Sequence, residues 1–255
     1  MNASQGSDSS LRFVAHRGYV ARYPENTREG LQAAVDAGAR YIEFDVQLTR
    51  DAVPVLLHDD NFQRTAAVDR SVFDIDAAEL GGIDVNESTR LGTRYSGIAV
   101  PTLEDICAAL AGWADVTAFV ELKRHSIAHF GVARVARTVL DILRPVLDRC
   151  VVISFNHDVL QACRARADVP VGWVLREWDA AARETAQASQ PEYLLVNETR
   201  LPADGPVWPG PWTWICYDIT DYRRALQLHA RGIEMISSFD IGHLLAAARD
   251  AGATT

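Results

Sequence analysis

Short apolar runs rich in β-branched residues alternate along this chain with longer segments whose apolar residues recur at helical spacing. This alternation is typical of repeated strand and helix units that form a parallel sheet. The pattern predicts nine strands, at 12–16, 41–48, 53–58, 116–123, 151–155, 171–175, 193–197, 212–217 and 234–238. It predicts helices at 26–37, 102–111, 132–147, 158–166, 178–187, 220–230 and 241–249. The first helix is expected to begin with a capping box formed by Asn26 and Glu29.

The connection between the second and third predicted strands is too short for parallel pairing. Residues 49–52 cannot form the crossover of about a dozen or more residues that a parallel neighbour requires, so 53–58 returns antiparallel as a hairpin arm. Eight parallel strands remain, the number found in an α/β fold of the (β/α)8 TIM-barrel type, whose typical length of about 250 residues fits this chain. We therefore predict one TIM-barrel domain over 1–255, with a loop-rich insertion at about 59–100 over the barrel mouth.

Composition narrows the classes of protein to which the chain can belong. With 48% apolar and 23% charged residues it is expected to be a soluble globular protein. No run approaches the length of a membrane span, and 1–10 lack the features of a signal peptide, which predicts a cytoplasmic location. The four cysteines are scattered through apolar runs and are expected to be reduced packing residues. A net charge of −9 argues against nucleic acid as a partner, and an anionic small-molecule substrate would need local positive charge.

Carboxylates lie at the ends of two neighbouring barrel strands. Glu43 and Asp45 are two residues apart, so both side chains point to one face, here the barrel interior near its C-terminal rim. Ionised groups there need partners, and a divalent cation such as Mg²⁺ or Ca²⁺ is the simplest one. Glu121 and Lys123 share a face of the next barrel strand. Glu121 therefore extends the predicted metal site, and Lys123 offers a positive charge for a phosphate.

Two histidines and an arginine are predicted to lie at the same rim. Because the hairpin returns the chain to its starting level, His58 is expected near the carboxylates and near His16, which ends the first strand. Imidazoles, with an unperturbed pKa of about 6.5, suit proton transfer near neutral pH. Arg17 offers a planar fork for phosphate oxygens. Arg17 and Lys123 have a structural alternative, which is ion pairing with the same acids.

The motifs that carry these residues resemble the signature of the glycerophosphodiester phosphodiesterase family. They are His16-Arg17-Gly18, Pro24-Glu25-Asn26-Thr27, Glu43-Phe44-Asp45-Val46, Pro54 to Asp59, Arg64-Thr65, Pro101 to Glu104, Glu121-Leu122-Lys123 and Ser154-Phe155-Asn156. The resemblance implies a barrel enzyme that uses one divalent metal ion to hydrolyse glycerophosphodiesters to glycerol phosphate and an alcohol. It also implies the role of each site residue: Glu43, Asp45 and Glu121 as metal ligands, His16 and His58 as the acid and base pair with their order left open, and Arg17 and Lys123 as phosphate-binding residues. Where members of the family attack from the glycerol 2-hydroxyl, the phosphate passes through a cyclic intermediate.

Departures from the family pattern bear on turns and on substrate choice. The hairpin turn reads Arg50-Asp51-Ala52 where the family commonly has Asp-Gly, and Ala66-Ala67 stands where a turn with glycine is usual. The segments 214–218 and 237–238 also differ, on the side expected to shape the leaving-group pocket. Asp59 and Asn156 are further candidates, for orienting His58 and for hydrogen bonding in the site. Three alternatives stay open: a lipid-directed phosphodiesterase of the lysophospholipase D or sphingomyelinase D type, a metal-dependent aldolase, and a non-catalytic phosphate-ester binding protein.

Overall fold

A computed structural model describes residues 10–252 of the chain. Its strands are β1 (Arg12–Ala15), β2 (Tyr41–Leu48), β3 (Pro54–Leu56), β4 (Asn61–Phe62), β5 (Val68–Ser71), β6 (Thr117–Leu122), β7 (Cys150–Ser154), β8 (Val171–Val174), β9 (Tyr193–Asn197), β10 (Thr213–Tyr217) and β11 (Met235–Ser238). Its α-helices are α1 (Arg28–Asp36), α2 (Gln63–Ala66), α3 (Ser88–Leu91), α4 (Leu103–Gly112), α5 (Arg124–Phe130), α6 (Val132–Leu143), α7 (His157–Arg164), α8 (Ala180–Ser189), α9 (Tyr222–His229) and α10 (Ile241–Asp250). The predicted N-terminal segment 1–10 lies outside the described residues except for residue 10.

Eight parallel strands close into a barrel. The pairing order is β1, β11, β10, β9, β8, β7, β6 and β2, and β1 pairs with β2 to complete the ring. The predicted (β/α)8 TIM barrel is therefore confirmed. All nine predicted strands are present, and the surplus one, β3, pairs antiparallel with the end of β2, with Leu56 opposite Val46 and Pro54 opposite Leu48. The short 49–52 connection thus joins two antiparallel strands, as predicted.

Two apolar layers hold the barrel together. An inner cluster fills the barrel and includes Val14, Phe119, Ile153, Leu195 and Ile215. A larger outer cluster lies between the strands and the surrounding helices. All four cysteines are buried in that outer cluster, which confirms their prediction as packing residues. Burial of this apolar surface is the main favourable term for such a fold.

The insertion contains more structure than predicted. Residues 59–100 include β4, β5, α2, α3 and two 3₁₀ turns. Phe62, Val72, Ile75 and Leu80 form a small core of their own against Val55 of the hairpin. Arg90 donates to the backbone carbonyls of the loop after β1, so the insertion contacts the barrel mouth. A single-domain organisation of 1–255 stays a prediction.

The start of the first helix differs from the prediction. Thr27, and not Asn26, is the N-cap of α1, and its hydroxyl accepts from the Gly30 amide at 3.0 Å. Both residue types are good N-caps, so local preference does not distinguish them. Asn26 instead has a left-handed backbone with φ of 53°. Because Thr27 caps the helix, the Asn26 side chain is free to bond with Asp45 of β2. No described helix is long and apolar enough to cross a membrane.

Candidate active site

Three buried carboxylates meet at the C-terminal end of two adjacent barrel strands. Glu43 and Asp45 come from β2 and Glu121 from β6, and Asp45 lies opposite Glu121 in the strand register. One oxygen from each of the three lies within 4.8 Å of the others. The sequence predicted this cluster correctly because the three residues share inward positions on neighbouring strands.

Glu43 has an unsatisfied oxygen that suits a cation. Its Oε2 accepts from the Arg17 backbone amide at 2.9 Å, whereas its buried Oε1 has no hydrogen-bond partner in the described part of the chain. Burial raises the pKa of Glu43 well above its ordinary value, and Asp45 and Glu121 raise it further. Burial also raises the pKa of Glu121. A divalent cation would satisfy the free oxygen and favour the ionised carboxylates, so these residues fit a metal ion.

Two cationic side chains contact the acidic cluster. Lys123 Nζ lies 2.8 Å from Glu121 Oε1 and 3.0 Å from Asp45 Oδ1. Arg17 Nε lies 3.1 Å from Asp45 Oδ2. Burial alone would raise the pKa of Asp45, but Lys123 and Arg17 outweigh it and hold that pKa well below its ordinary value. The alternative of ion pairing with the acids is thus present in the structure, while further N–H donors of both side chains remain for a ligand.

The backbone of the first loop is shaped to place Arg17. Arg17 has φ of 55° and Gly18 has φ of 89°, both in the left-handed region. A side chain at Gly18 would clash with the backbone of α1, because its Cβ would lie 2.7 Å from the Gly30 carbonyl carbon. Only glycine fits this close approach, which brings the Arg17 amide to Glu43. A non-glycine residue in this conformation is uncommon and is often found at functional sites.

Asn26 is a site residue that the sequence analysis assigned to another role. Its Nδ2 donates to Asp45 Oδ2 at 2.8 Å, and its Oδ1 accepts from the Asp45 amide at 3.0 Å. This reciprocal pair fixes both the side chain and the backbone of Asp45. A signal was available in the position of Asn26 beside Thr27, since only one of two adjacent capping residues can serve as the N-cap.

His16 is held by residues that follow β11 and β10, the two strands next to β1 in the barrel. Its ring stacks on Phe239, with the two ring centroids 4.4 Å apart. Its Nδ1 lies 3.1 Å from Asp218 Oδ1, but that oxygen lies off the direction of the ring N–H, so the contact lacks hydrogen-bond geometry. Asn197 donates to the other Asp218 oxygen at 2.8 Å. Burial lowers the pKa of His16, and the Asp218 contact opposes this effect. Sequence reasoning missed Asp218 because it lies about 200 residues from His16 on a loop after β10.

His58 is held by the hairpin and the insertion. Its Nδ1 lies 2.7 Å from Asp59 Oδ1, as expected for an orienting residue, and Arg64 donates to the other Asp59 oxygen at 2.8 Å. Arg64 also forms two hydrogen bonds with buried Glu25, at 2.8 and 2.7 Å. The amide of Gln47, which sequence reasoning did not single out, donates to the His58 carbonyl at 3.3 Å. Burial lowers the pKa of His58.

Two neighbouring cavities occupy the barrel mouth. The inner one, of about 110 Å³, is lined by the six predicted site residues His16, Arg17, Glu43, His58, Glu121 and Lys123, while Asp45 lies fully buried beside them. The outer one, of about 550 Å³, shares His58, Glu121, Lys123, Phe155 and Tyr217 with it. The structure therefore brings all seven predicted residues together. Asn156 is not among them, because its side chain caps α7 by accepting from the Val159 amide at 3.0 Å.

A closed parallel barrel with buried acids, cations and histidines at the C-terminal ends of its strands defines a (β/α)8-barrel enzyme. The chain belongs to the glycerophosphoryl diester phosphodiesterase family, whose model matches residues 16–235. The resemblance seen in the sequence motifs is thereby confirmed.

Relatives of known sequence and structure agree with this assignment. The chain is 35% identical over 157 residues to the uncharacterised protein YqiK of Bacillus subtilis (strain 168), a match that covers 60% of this chain and 61% of YqiK. It is 28% identical to the glycerophosphodiester phosphodiesterase of Caldanaerobacter subterraneus subsp. tengcongensis over 72% of this chain and 76% of that protein. A phosphodiesterase structure from Oleispira antarctica, in complex with the product sn-glycerol-3-phosphate, has a TM-score of 0.81 at 22% identity, covering 94% of this chain and 97% of the other. At that identity the structural match shows the shared fold.

Proposed function

We propose that this protein hydrolyses glycerophosphodiesters to glycerol 3-phosphate and an alcohol, with one divalent cation, Mg²⁺ or Ca²⁺, as its cofactor. The observation that carries the proposal is the buried Glu43 oxygen, which has no hydrogen-bond partner among residues 10–252. It lies within a group of three carboxylates beside a cavity that both histidines line. The family to which the chain belongs supports the same reaction. The sn-glycerol-3-phosphate product bound to the Oleispira antarctica phosphodiesterase is a further argument for this substrate class.

Charge in the inner cavity favours a phosphodiester once a metal ion is bound. Glu43, Asp45 and Glu121 carry three negative charges when ionised, against two positive charges on Arg17 and Lys123. A divalent cation held by the three carboxylates would reverse the local net charge and polarise the phosphoryl oxygens. Arg17 and Lys123 bind the same oxygens with their remaining donors and stabilise the charge that develops there.

The two histidines act on opposite ends of the reaction. His16 lines only the inner cavity, so it takes the proton from the attacking hydroxyl, which belongs to water or to the glycerol 2-position. His58 lines both cavities, so it lies where the bond from phosphorus to the alcohol oxygen breaks, and it gives a proton to the departing alkoxide. Asp218 and Asp59 orient the two rings. The lowered pKa of His16 favours the neutral ring that a general base requires.

The surface of the protein argues against a lipid-directed enzyme. The outer cavity is lined by charged side chains, among them Arg124, Arg176, Glu177 and Arg200, and it does not resemble an apolar channel for an acyl chain. Leu226 is the one large hydrophobic side chain that is strongly exposed in the described region 10–252. A lysophospholipid would find little apolar surface to contact. An aldolase or a non-catalytic binding protein would have no role for two histidines, each paired with a carboxylate, beside Arg17 and Lys123.

A metal-depletion experiment tests the proposal. The chelated protein is restored with Mg²⁺, Ca²⁺ or Mn²⁺ in turn and assayed on glycerophosphocholine, glycerophosphoethanolamine, glycerophosphoinositol and a lysophospholipid. The readout is release of glycerol phosphate, or of acyl-glycerol phosphate in the case of the lysophospholipid. We expect release from the first three substrates with at least one metal and little from the lysophospholipid. No release with any metal would contradict the proposal.

Metal binding is measured separately from turnover. Isothermal titration of the chelated protein with the restoring metal is expected to give one site, and Glu43→Gln is expected to weaken it by more than about 100-fold, because a coordinating oxygen is lost from the set. Glu104→Gln, which removes an exposed carboxylate from the first turn of α4, is the matched control and should bind normally. Equal metal affinity of the two variants would remove Glu43 from the metal site.

A further inference from the structure

The outer cavity carries an unusual concentration of positive charge. Arg124 is the first residue of α5, Arg176 follows β8, and Arg200 ends the turn after β9. These side chains come from three separate elements and line one cavity of about 550 Å³. Beyond Glu121 at its floor, Glu177 is the acidic residue that lines it. The cavity therefore has a net positive rim in a chain whose formal net charge is −9.

Two of the three arginines are not neutralised by a neighbouring acid. Arg200 NH1 lies 3.4 Å from Glu177 Oε2. Within residues 10–252, no carboxylate lies within ion-pair distance of Arg124 or Arg176. Arg176 lies over the ring of Phe155, with 5.9 Å between its guanidinium carbon and the ring centroid. Phe155 lines both cavities, so this contact places a guanidinium near the boundary between them.

The position of this charge relates it to one part of the substrate. The inner cavity is small and enclosed by the metal cluster, Arg17 and both histidines, so it suits the glycerol phosphate part common to all substrates. The outer cavity begins at His58, the residue that protonates the departing alkoxide in the proposed reaction, and it is wide enough for groups of different size. Unpaired arginines attract anions in such a cleft and repel cations.

We propose that the outer cavity is a leaving-group subsite that favours alcohols carrying an anionic group, such as a phosphate or a carboxylate, over neutral or cationic alcohols. This inference rests on the proposed function, because it concerns the alcohol released by that reaction. Arg124 and Arg176 are the specificity-determining residues, and Arg200 contributes less because Glu177 pairs with it.

A matched pair of substrates tests the inference. Glycerophosphoinositol and glycerophosphoinositol 4-phosphate differ by one phosphate on the alcohol, and glycerophosphocholine supplies a cationic alcohol. We expect kcat/KM to fall in the order phosphorylated inositol, inositol, choline, with a roughly five- to tenfold difference within the inositol pair, as expected for two exposed charge contacts. The difference is expected mainly in KM, because the contact exists before and during the chemical step.

Charge removal then tests the residues. The double variant Arg124→Gln with Arg176→Gln is expected to bring the kcat/KM ratio of the inositol pair close to one. The control is Arg137→Gln with Arg144→Gln, which removes two exposed positive charges from α6 and the turn after it, away from both cavities, and should keep the wild-type ratio. Raising the salt concentration to about 0.5 M should reduce the wild-type ratio, since screening shortens the range of exposed charges.

The possible outcomes separate this inference from the proposed function. Hydrolysis of glycerophosphoinositol with no preference for the 4-phosphate overturns the inference and leaves the proposed function in place. A preference that survives in the Arg124 and Arg176 double variant overturns the assignment of those residues. Hydrolysis of none of the three substrates overturns the proposed function and the inference with it.

Discussion

The two sides of the barrel mouth differ in how their charged groups are held. On the side of β1, β2, β6 and the hairpin, which we call the acidic side, most charged groups are buried and have two or more partners. Asp45, for example, contacts Arg17, Lys123 and Asn26. On the side that follows β8, β9 and β10, which we call the open side, Arg176 and Arg200 are exposed and have few contacts. Arg124, at the start of α5 after β6, is exposed in the same way and is the exception on the acidic side.

This difference separates chemistry from substrate choice. A cluster of buried, mutually bonded groups cannot change its geometry without leaving charges unpaired, so the acidic side is preorganised for charge stabilisation. Exposed side chains with few partners lose little when a ligand changes, so the open side can accept different alcohols. The histidines join the two sides, because His58 is oriented from the acidic side by Asp59 and His16 from the open side by Asp218.

Removal of either histidine is expected to have the largest effect. His16→Ala and His58→Ala should each lower kcat by at least about 10²-fold, because each removes a proton-transfer group. The measurement is steady-state release of glycerol phosphate from glycerophosphoinositol with the restoring metal. His243→Ala, an exposed histidine of α10 that lines neither cavity, is the control and should retain normal turnover. Near-normal kcat in both site variants would rule out an acid and base pair.

Asp218 and Asp59 test whether the open side and the acidic side contribute equally to the positioning of the two histidines. Asp218→Asn is expected to lower kcat by about tenfold with little change in KM, since the amide keeps the volume but loses the charge beside His16. Asp59→Asn should have a smaller effect, because Gln47 still holds the backbone of His58. Asp204→Asn, on an exposed turn, serves as the control. A rise in KM at constant kcat would instead place Asp218 in substrate binding.

Arg64 tests how firmly the insertion is fixed to the acidic side. Arg64→Gln removes two hydrogen bonds from the buried Glu25 and one from Asp59, and it should lower the free energy of unfolding by about 1–2 kcal/mol, a value reduced for the partial exposure of the arginine. Urea unfolding followed by tryptophan fluorescence measures the change. Arg70→Gln breaks the exposed pair with Glu79 in the same insertion and should cost clearly less, because water screens this pair. Equal losses would show that the Glu25 contact adds no stability.

Much of the barrel and of the acidic side could be predicted from the sequence. The strands are short, β-branched and separated by helical segments, and the length of 49–52 alone identifies the hairpin. Glu43 and Asp45 are two residues apart on β2, and Asp45 lies opposite Glu121 on the paired strand β6. Strand geometry therefore brings the three carboxylates together. These relations are local or involve adjacent strands.

Features that depend on distant contacts were not predicted. Asp218 reaches His16 only because the barrel closes, and the outer arginines meet only because α5 and two loops converge. The helix α5 was missed because it has seven residues and few apolar ones. The small core of the insertion was missed because Phe62, Val72 and Ile75 follow neither a strand nor a helix period.

The departures from the family pattern at two turns lead to the smallest expected effect. Ala52, in the hairpin turn, has φ of 64°, and Ala67, after α2, has φ of 55°. Alanine is strained in this left-handed region, whereas glycine is not. Ala52→Gly and Ala67→Gly should each raise the free energy of unfolding by about 0.5–1 kcal/mol without changing kcat.

A helical alanine supplies the control for these turn variants. Ala181, exposed in α8, has a right-handed backbone, so Ala181→Gly should lower the free energy of unfolding by about 0.5–1 kcal/mol. Opposite signs in the two sets, measured by urea unfolding, would locate backbone strain in the turns of the hairpin and insertion. Destabilisation by all three substitutions would mean that side-chain packing of the alanine outweighs the backbone strain at both turns. Packing would then stabilise the acidic side as far as the turn of its hairpin.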